Sequence, residues 1–247
     1  MERVKLATKL FPLYVEGPQD FDRLLEEQLQ KLQTDHVDFY LLHGLNQTWW
    51  PRLRDLDVLE WAEGAIAEGR FSRLGFSFHD EYPVFQEIVD AYDNWSMCQI
   101  QYNYMNGDYQ AGTKGLRYAA SRGLAVMIME PLLGGQLANA PRSVQALWDT
   151  APSKRTPACW GLQWLWNQPE VSVSGYVFGT SGWRKALKAS GSAKDRQPNV
   201  SSAGNARPSA RRASPSAGGC PSSTRFSARA NPITSTRNWP KSSWSIV

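Results

Sequence analysis

Residues 20–43 read DFDRLLEEQLQKLQTDHVDFYLLH, and the two halves of this stretch obey different periodicities. Across 20–33, Phe21, Leu24, Leu25, Leu29 and Leu32 recur at helical spacing on one stripe, with Asp20 placed as the N-cap. Residues 37–43, VDFYLLH, form a short apolar run rich in strand-forming side chains and end on a histidine. A strand that is apolar on both faces belongs to a parallel sheet covered on both sides. The pair therefore predicts an amphipathic helix feeding a buried parallel strand, the repeating unit of an α/β fold.

The same grammar extends in both directions. Strands are expected at VKLATK (4–9), SRLGFS (72–77), CQIQYN (98–103), LAVMIM (124–129) and VSVSG (171–175). Helices are expected at 55–70, ending on Gly69, at 81–93 with Pro83 in its first turn, and at 114–123, ending on Gly123. From Val4 to Val171 there are five intervals, about 33 residues per βα unit, close to the roughly 31 of an eight-unit barrel. The expected class is α/β: an incomplete TIM (β/α)8 barrel carrying about six βα units, with a disordered C-terminal tail. On that reading about two units, some 60 residues, would precede the first strand.

Composition divides the chain into an expected barrel, 1–180, and a tail, 181–247. The tail carries 12 of the 27 basic residues and one of the 23 acids, so it is net +11 while residues 1–180 are net −7. Its Ser, Arg, Pro and Ala content buries too little apolar surface to offset chain entropy. A nucleic-acid-binding arm is disfavoured by the lack of a lysine-rich run or interleaved aromatics, and a shift of reading frame near 173–181 accounts better for the abrupt change. Three dispersed cysteines without C-x-x-C spacing predict neither a disulfide framework nor a metal site. No apolar stretch is long enough for a membrane span or signal peptide, so the expected location is cytoplasmic.

In a parallel barrel chemistry sits at the C-terminal ends of the strands. Lys9 and His43 close consecutive strands there, and Ser77, Gln99 and Glu130 are polar groups at or near later strand ends. Of the eleven tryptophans, Trp160, Trp164 and Trp166 are expected to be buried on a helix, whereas Trp49 and Trp50, six residues beyond His43, are candidates for lining the mouth.

LATKL, VDFYLLHGL, RLGFSFH, CQIQYNYMN, LAVMIMEPLLGG and VSVSG resemble, in order and spacing, strands three to eight of the aldo/keto reductases. The resemblance covers roughly residues 3–175, and MEPLLGG and GFSFH are most similar to the bacterial branch that often carries a C-terminal iron-sulfur segment. It implies hydride transfer from NADP(H) or NAD(H) to a small carbonyl substrate, with no membrane or nucleic-acid partner. It further implies that Lys9 lowers the pKa of a tyrosine acid and that His43 orients the carbonyl. Ser77 and Gln99 would hold the nicotinamide carboxamide, and Met129 would pack on its ring. Glu130, Ser174 and Gly175 complete the expected cofactor contacts. The asparagine that follows the serine in the family is Phe78 here, and the family's Asp and Tyr match no residue of this chain. A catalytically inactive barrel remnant or cofactor-binding module is the alternative reading. The clustered cysteines of an iron-sulfur segment are lacking, and no metal is expected.

Overall fold

Six parallel strands pair in chain order in the computed structural model, which describes residues 5–174. They are β1 (Ala7–Leu10), β2 (Phe39–Leu45), β3 (Leu74–Phe78), β4 (Met97–Gln101), β5 (Ala125–Met129) and β6 (Val171–Ser174). Helices α1 (Gln19–Leu32), α2 (Trp49–Asp55), α3 (Val58–Ala67), α4 (Tyr82–Asp90), α5 (Gly112–Ser121), α6 (Arg142–Trp148) and α7 (Pro157–Trp166) fill the connections, with short 3-10 segments at Pro12–Tyr14 and Leu133–Ala138. The expected α/β succession is therefore present, strand by strand.

Alternation along each strand sorts its side chains into two layers. Leu10, Tyr40, Leu42, Phe76, Phe78, Cys98, Ile100, Val126 and Ile128 point outward and form one core with the helices, represented by Phe21, Leu25, Leu53, Phe85, Ile88 and Leu165. Phe39, Leu41, Met97 and Met127 point the other way and form a smaller apolar floor with Ala7, Ala125 and Val173. The register carries this second face across the sheet: Leu41 pairs with Gly75, Gly75 with Met97, and Met97 with Ala125. Gly75 is required there by space, since a Cβ would lie 2.7 Å from Met97 Cγ and 2.8 Å from its carbonyl oxygen.

Helix ends follow the expected glycines. Gly69 and Gly123 adopt φ of +78° and +80°, and the amides that follow them, Arg70 N and Leu124 N, bond back to Ala65 O and Ala119 O. Three local expectations are corrected. Asp20 is not the N-cap but a first-turn residue, whose carboxylate instead gathers the Glu16 and Gly17 amides at 2.8 and 3.1 Å and the Arg23 guanidinium. The helix expected over 55–70 begins only at Val58, because Asp57 takes a left-handed φ of 58° that suits an Asp, and a separate helix, α2, ends just before it at Asp55. Trp50 does not line the mouth: it is fully buried against Trp95, ring centroids 6.3 Å apart, while Trp49 is half-buried under Arg52. The tail over 181–247 and Gly175 lie outside the described residues. Among the described residues no helix is long and apolar enough to cross a membrane.

Candidate active site

The inward face changes character toward the C-terminal strand ends. Below lies the apolar floor; above it stand Lys9 on β1, His43 on β2, Ser77 on β3 and Gln99 on β4, all of the inward parity. Ser77 and Gln99 are register partners, and both are buried. Lys9 Nζ donates to Gln99 Oε1 at 2.5 Å. Strands β1 and β4 are three positions apart, ~14 Å in a flat sheet, beyond easy reach of two side chains standing perpendicular to it. Their contact therefore requires the sheet to curl inward on this face, as a barrel wall does.

Burial sets the charge of this mouth. Lys9 has no carboxylate partner among the described residues, and desolvation pulls its pKa from 10.5 down to about 8. His43 is driven to about 4 by burial first, then by the positive charges of Lys9 and His79, so its imidazole is neutral at pH 7. Ser77 Oγ accepts a 2.8 Å hydrogen bond from Gly44 N, which leaves its O–H free to donate. Gly44 has φ +62°, a conformation that favours glycine, and lies where the register of β2 against β3 shifts between Leu42 and Leu45, next to His43.

The remaining expected residues divide. Met129 is buried on the inward face opposite Gln101. Glu130, at φ 55°, folds its carboxylate back onto its own turn, where Oε2 accepts from Gly134 N at 2.5 Å. Ser174 pairs with outward-facing Ile128, and its hydroxyl accepts from Trp166 Nε1 at 2.9 Å, so it meets helix α7 and not the mouth. Phe78 faces outward onto Phe85 and takes no part in the site.

Two residues of the mouth escaped the sequence reading. Phe11, two residues past Lys9, is 40% exposed and sets its ring edge-on to His43 with centroids 4.6 Å apart. His79, two past Ser77, lies 4.0 Å from where a Cβ on Gly44 would sit, and its pKa is lowered by burial and by Lys9. Period-two counting carried beyond each strand end would have found both.

A nicotinamide carboxamide fits the inner group. Ser77 offers a free hydroxyl proton, and Gln99, with Oε1 occupied by Lys9, retains its amide protons for a carbonyl oxygen. Residues that would hold the adenosine end beyond Ser174 lie outside the described residues. A depression of about 650 Å³ lined by Glu26, Leu29, Gln33, Thr34, Asp35 and Arg70 sits at the opposite end of the strands, far from this chemistry. No group of three or more metal-ligating side chains occurs among the described residues.

Comparison with known proteins agrees with the geometry. The chain is 28% identical over 150 residues to the uncharacterized oxidoreductase YrpG of Bacillus subtilis (strain 168), a match covering 55% of this chain and 44% of that one. The chain thus spans under half the length of this curated relative. Among solved structures, the holo form of aldo-keto reductase AKR11C1 from Bacillus halodurans superposes with a TM-score of 0.57 at 20% identity, over 74% of this chain and 64% of that one. An aldo-keto reductase from Klebsiella pneumoniae in complex with NADPH gives 0.54 at 23% identity, over 74% and 63%. At these identities the structures speak to the fold alone, a barrel wall of the same kind. The model of the aldo/keto reductase family matches residues 1–186, three quarters of the sequence, and the chain belongs to that family.

Proposed function

We propose that this chain serves a nicotinamide-dependent oxidoreductase that reduces aldehydes or ketones to alcohols. The observation that carries this reading is the convergence of Lys9, His43, Ser77 and Gln99 on one inward mouth, with Lys9 bonded across it to Gln99. The bound cofactor supplies the hydride. Ser77 and Gln99 bind and orient the carboxamide, while buried Met129 presents an apolar surface for the ring. His43, neutral at pH 7, offers an N–H to the substrate carbonyl oxygen, and Lys9 places positive charge beside the developing oxyanion. Phe11 walls the entrance. The cofactor proposed first is NADP(H), which the Klebsiella pneumoniae relative binds; NAD(H) is the other candidate. The remaining cofactor contacts, Glu130, Ser174 and Gly175, are proposed on the family resemblance, and for Glu130 and Ser174 through main-chain groups, since the Glu130 carboxylate and the Ser174 hydroxyl are bound to Gly134 N and Trp166 Nε1.

One observation favours a second reading, a cofactor-binding module without turnover. Among the described strand residues none of inward parity is a tyrosine or aspartate: Tyr40 stacks outward on Phe71, Tyr102 and Tyr104 pack on Trp164, and Tyr14, whose ring lies 5.5 Å from that of Phe11 at the rim, is exposed. Loss of a positioned proton donor costs on the order of 100-fold or more. The experiment is NADPH and NADH consumption by the full chain with a panel of aldehydes, run beside cofactor titration followed by tryptophan fluorescence. Turnover that falls at least ~100-fold in Lys9→Met and His43→Gln supports the reductase; saturable binding with no turnover establishes the module. Neither binding nor turnover defeats both.

A further inference from the structure

We infer that His79 and Gln110 form a hydroxyl-recognition subsite beside His43, so that the mouth takes carbonyl compounds carrying a hydroxyl on the adjacent carbon. This rests on the reductase reading, in which His43 gives an N–H to the carbonyl oxygen, and adds to it the group that reads the neighbouring atom.

A bulge brings the two imidazoles together. Leu42 pairs with Phe76 and Leu45 with Phe78, so between these pairs β2 holds one residue more than β3. Such an extra residue re-aims the side chains around it. Here His43 and Gly44 share the place opposite Ser77, whose Oγ takes the Gly44 amide at 2.8 Å. Gly44 carries no side chain, and the His79 ring uses the space, its Cδ2 4.0 Å from where a Cβ would stand. The backbone fixes His79 there, because its amide donates to Leu45 O at 3.1 Å.

A neutral imidazole has one donor nitrogen and one acceptor nitrogen, and the bond made by one decides the role of the other. Burial lowers the pKa of His79, with Lys9 adding to the effect and Glu130 opposing it, so the ring is neutral at pH 7. Gln110, from the loop between β4 and α5, stands beside it as an acceptor for its N–H. The Gln110 Oε1 is buried without an aligned donor, so the ring satisfies it by turning its proton there. The other nitrogen then offers a lone pair to the mouth. His43 as donor and His79 as acceptor match a carbonyl oxygen and the hydroxyl next to it, and an alkyl group in the second place leaves the lone pair unmatched.

The test uses the chain's three histidines, His36, His43 and His79, labelled with 15N in the full protein. Long-range proton–nitrogen spectra report each tautomer, and single His→Gln variants assign them. Hydroxyacetone and 2-butanone, which differ by OH against CH3, are titrated in the presence of oxidised NADP. His79 is expected in a single neutral tautomer that becomes a mixture in Gln110→Leu. Hydroxyacetone should shift its unprotonated nitrogen, while 2-butanone should not. Hydroxyacetone should also bind ~5-fold more tightly than 2-butanone, the worth of one neutral hydrogen bond, with the ratio near one in His79→Phe and in Gln110→Leu. A mixed tautomer in wild type, or equal shifts and affinities for the two ketones, would overturn the proposal. Turnover of simple aldehydes with NADPH in the same preparation shows whether the reductase reading survives that result.

Discussion

An ammonium held away from water, with no counter-charge among the described residues, makes the folded state pH-dependent, and Lys9 is the residue where this can be read. Its folded pKa, about 8, lies below the 10.5 of the unfolded chain, so the unfolded state binds the proton more tightly. Below pH 8 the full penalty is present; as pH rises from 8 to 10.5 it disappears, and stability relative to a chain lacking the group increases. His43 has the same sense in a lower window, with stability lost as pH falls from 6.5 toward 4. Urea unfolding of wild type and Lys9→Met at pH 7 and pH 10 isolates the lysine, because other titrations cancel between the two proteins. Wild type should gain on the order of 1 to 3 kcal/mol on the variant over that interval, after allowance for partial exposure. A constant difference would mean that Lys9 is solvated in the native state. Cys98 is the opposite case: fully buried, its thiol pKa pushed up by desolvation alone, it is an inert part of the outer core.

At the level of elements, the tightest junction is β3 against β4. Gly75 lets the backbone of β3 approach Met97, and an alanine Cβ would meet both a side-chain carbon and a backbone oxygen at under 3 Å. The side chain can give; the carbonyl, held in the sheet, cannot. Gly75→Ala is expected to cost about 1–3 kcal/mol, seen as a lower urea midpoint at unchanged slope, and to reduce cofactor binding because Ser77 and Gln99 ride on the same two strands. Retention of the wild-type midpoint would show that β3 and β4 are less closely joined than the distances imply. These two strands were also the easiest to read. LGFSF and MCQIQ are short, apolar and bounded, whereas α6 escaped notice because none of its residues is buried and so no stripe exists to detect. Asp20 was misassigned for a physical reason: an acid just inside the first turn gives the same sequence signal as an N-cap, but its carboxylate reaches back to the Glu16 and Gly17 amides ahead of the helix, and only geometry distinguishes the two. Lys9, His43 and Ser77 were legible because each breaks an apolar strand toward its C-terminal end, and Gln99 because it is a polar side chain within the buried run of β4. The bond between Lys9 and Gln99 was not, since it depends on curvature that no periodicity encodes.

Taken whole, the sheet has an asymmetry that hydrogen exchange can measure. Strands β2 to β5 each have two partners, while β1 pairs only with β2 and β6 only with β5 among the described residues. A strand with one partner opens without breaking a second ladder, so its amides exchange through local fluctuations, whereas central amides require sub-global opening. The core reinforces this difference: Phe76 and Phe78 of β3 and Cys98 and Ile100 of β4 are fully buried against helices, while no residue of β6 is. The slowest amides should therefore lie in β3 and β4, with those of β6 exchanging at least ~10-fold faster under native conditions. Trp95, packed on Phe76 with its indole N–H donating to Ile88 O at 2.8 Å, should report the same slow unit through its side-chain proton. If β1 and β6 instead exchange as slowly as β4, the two edges are covered by segments outside residues 5–174 or by another copy of the chain. The mouth formed by Lys9, His43, Ser77 and Gln99 would then be a closed chamber and not an open trough. The two cases differ in how strongly the site excludes water, and thus in how far Lys9 departs from an ordinary lysine.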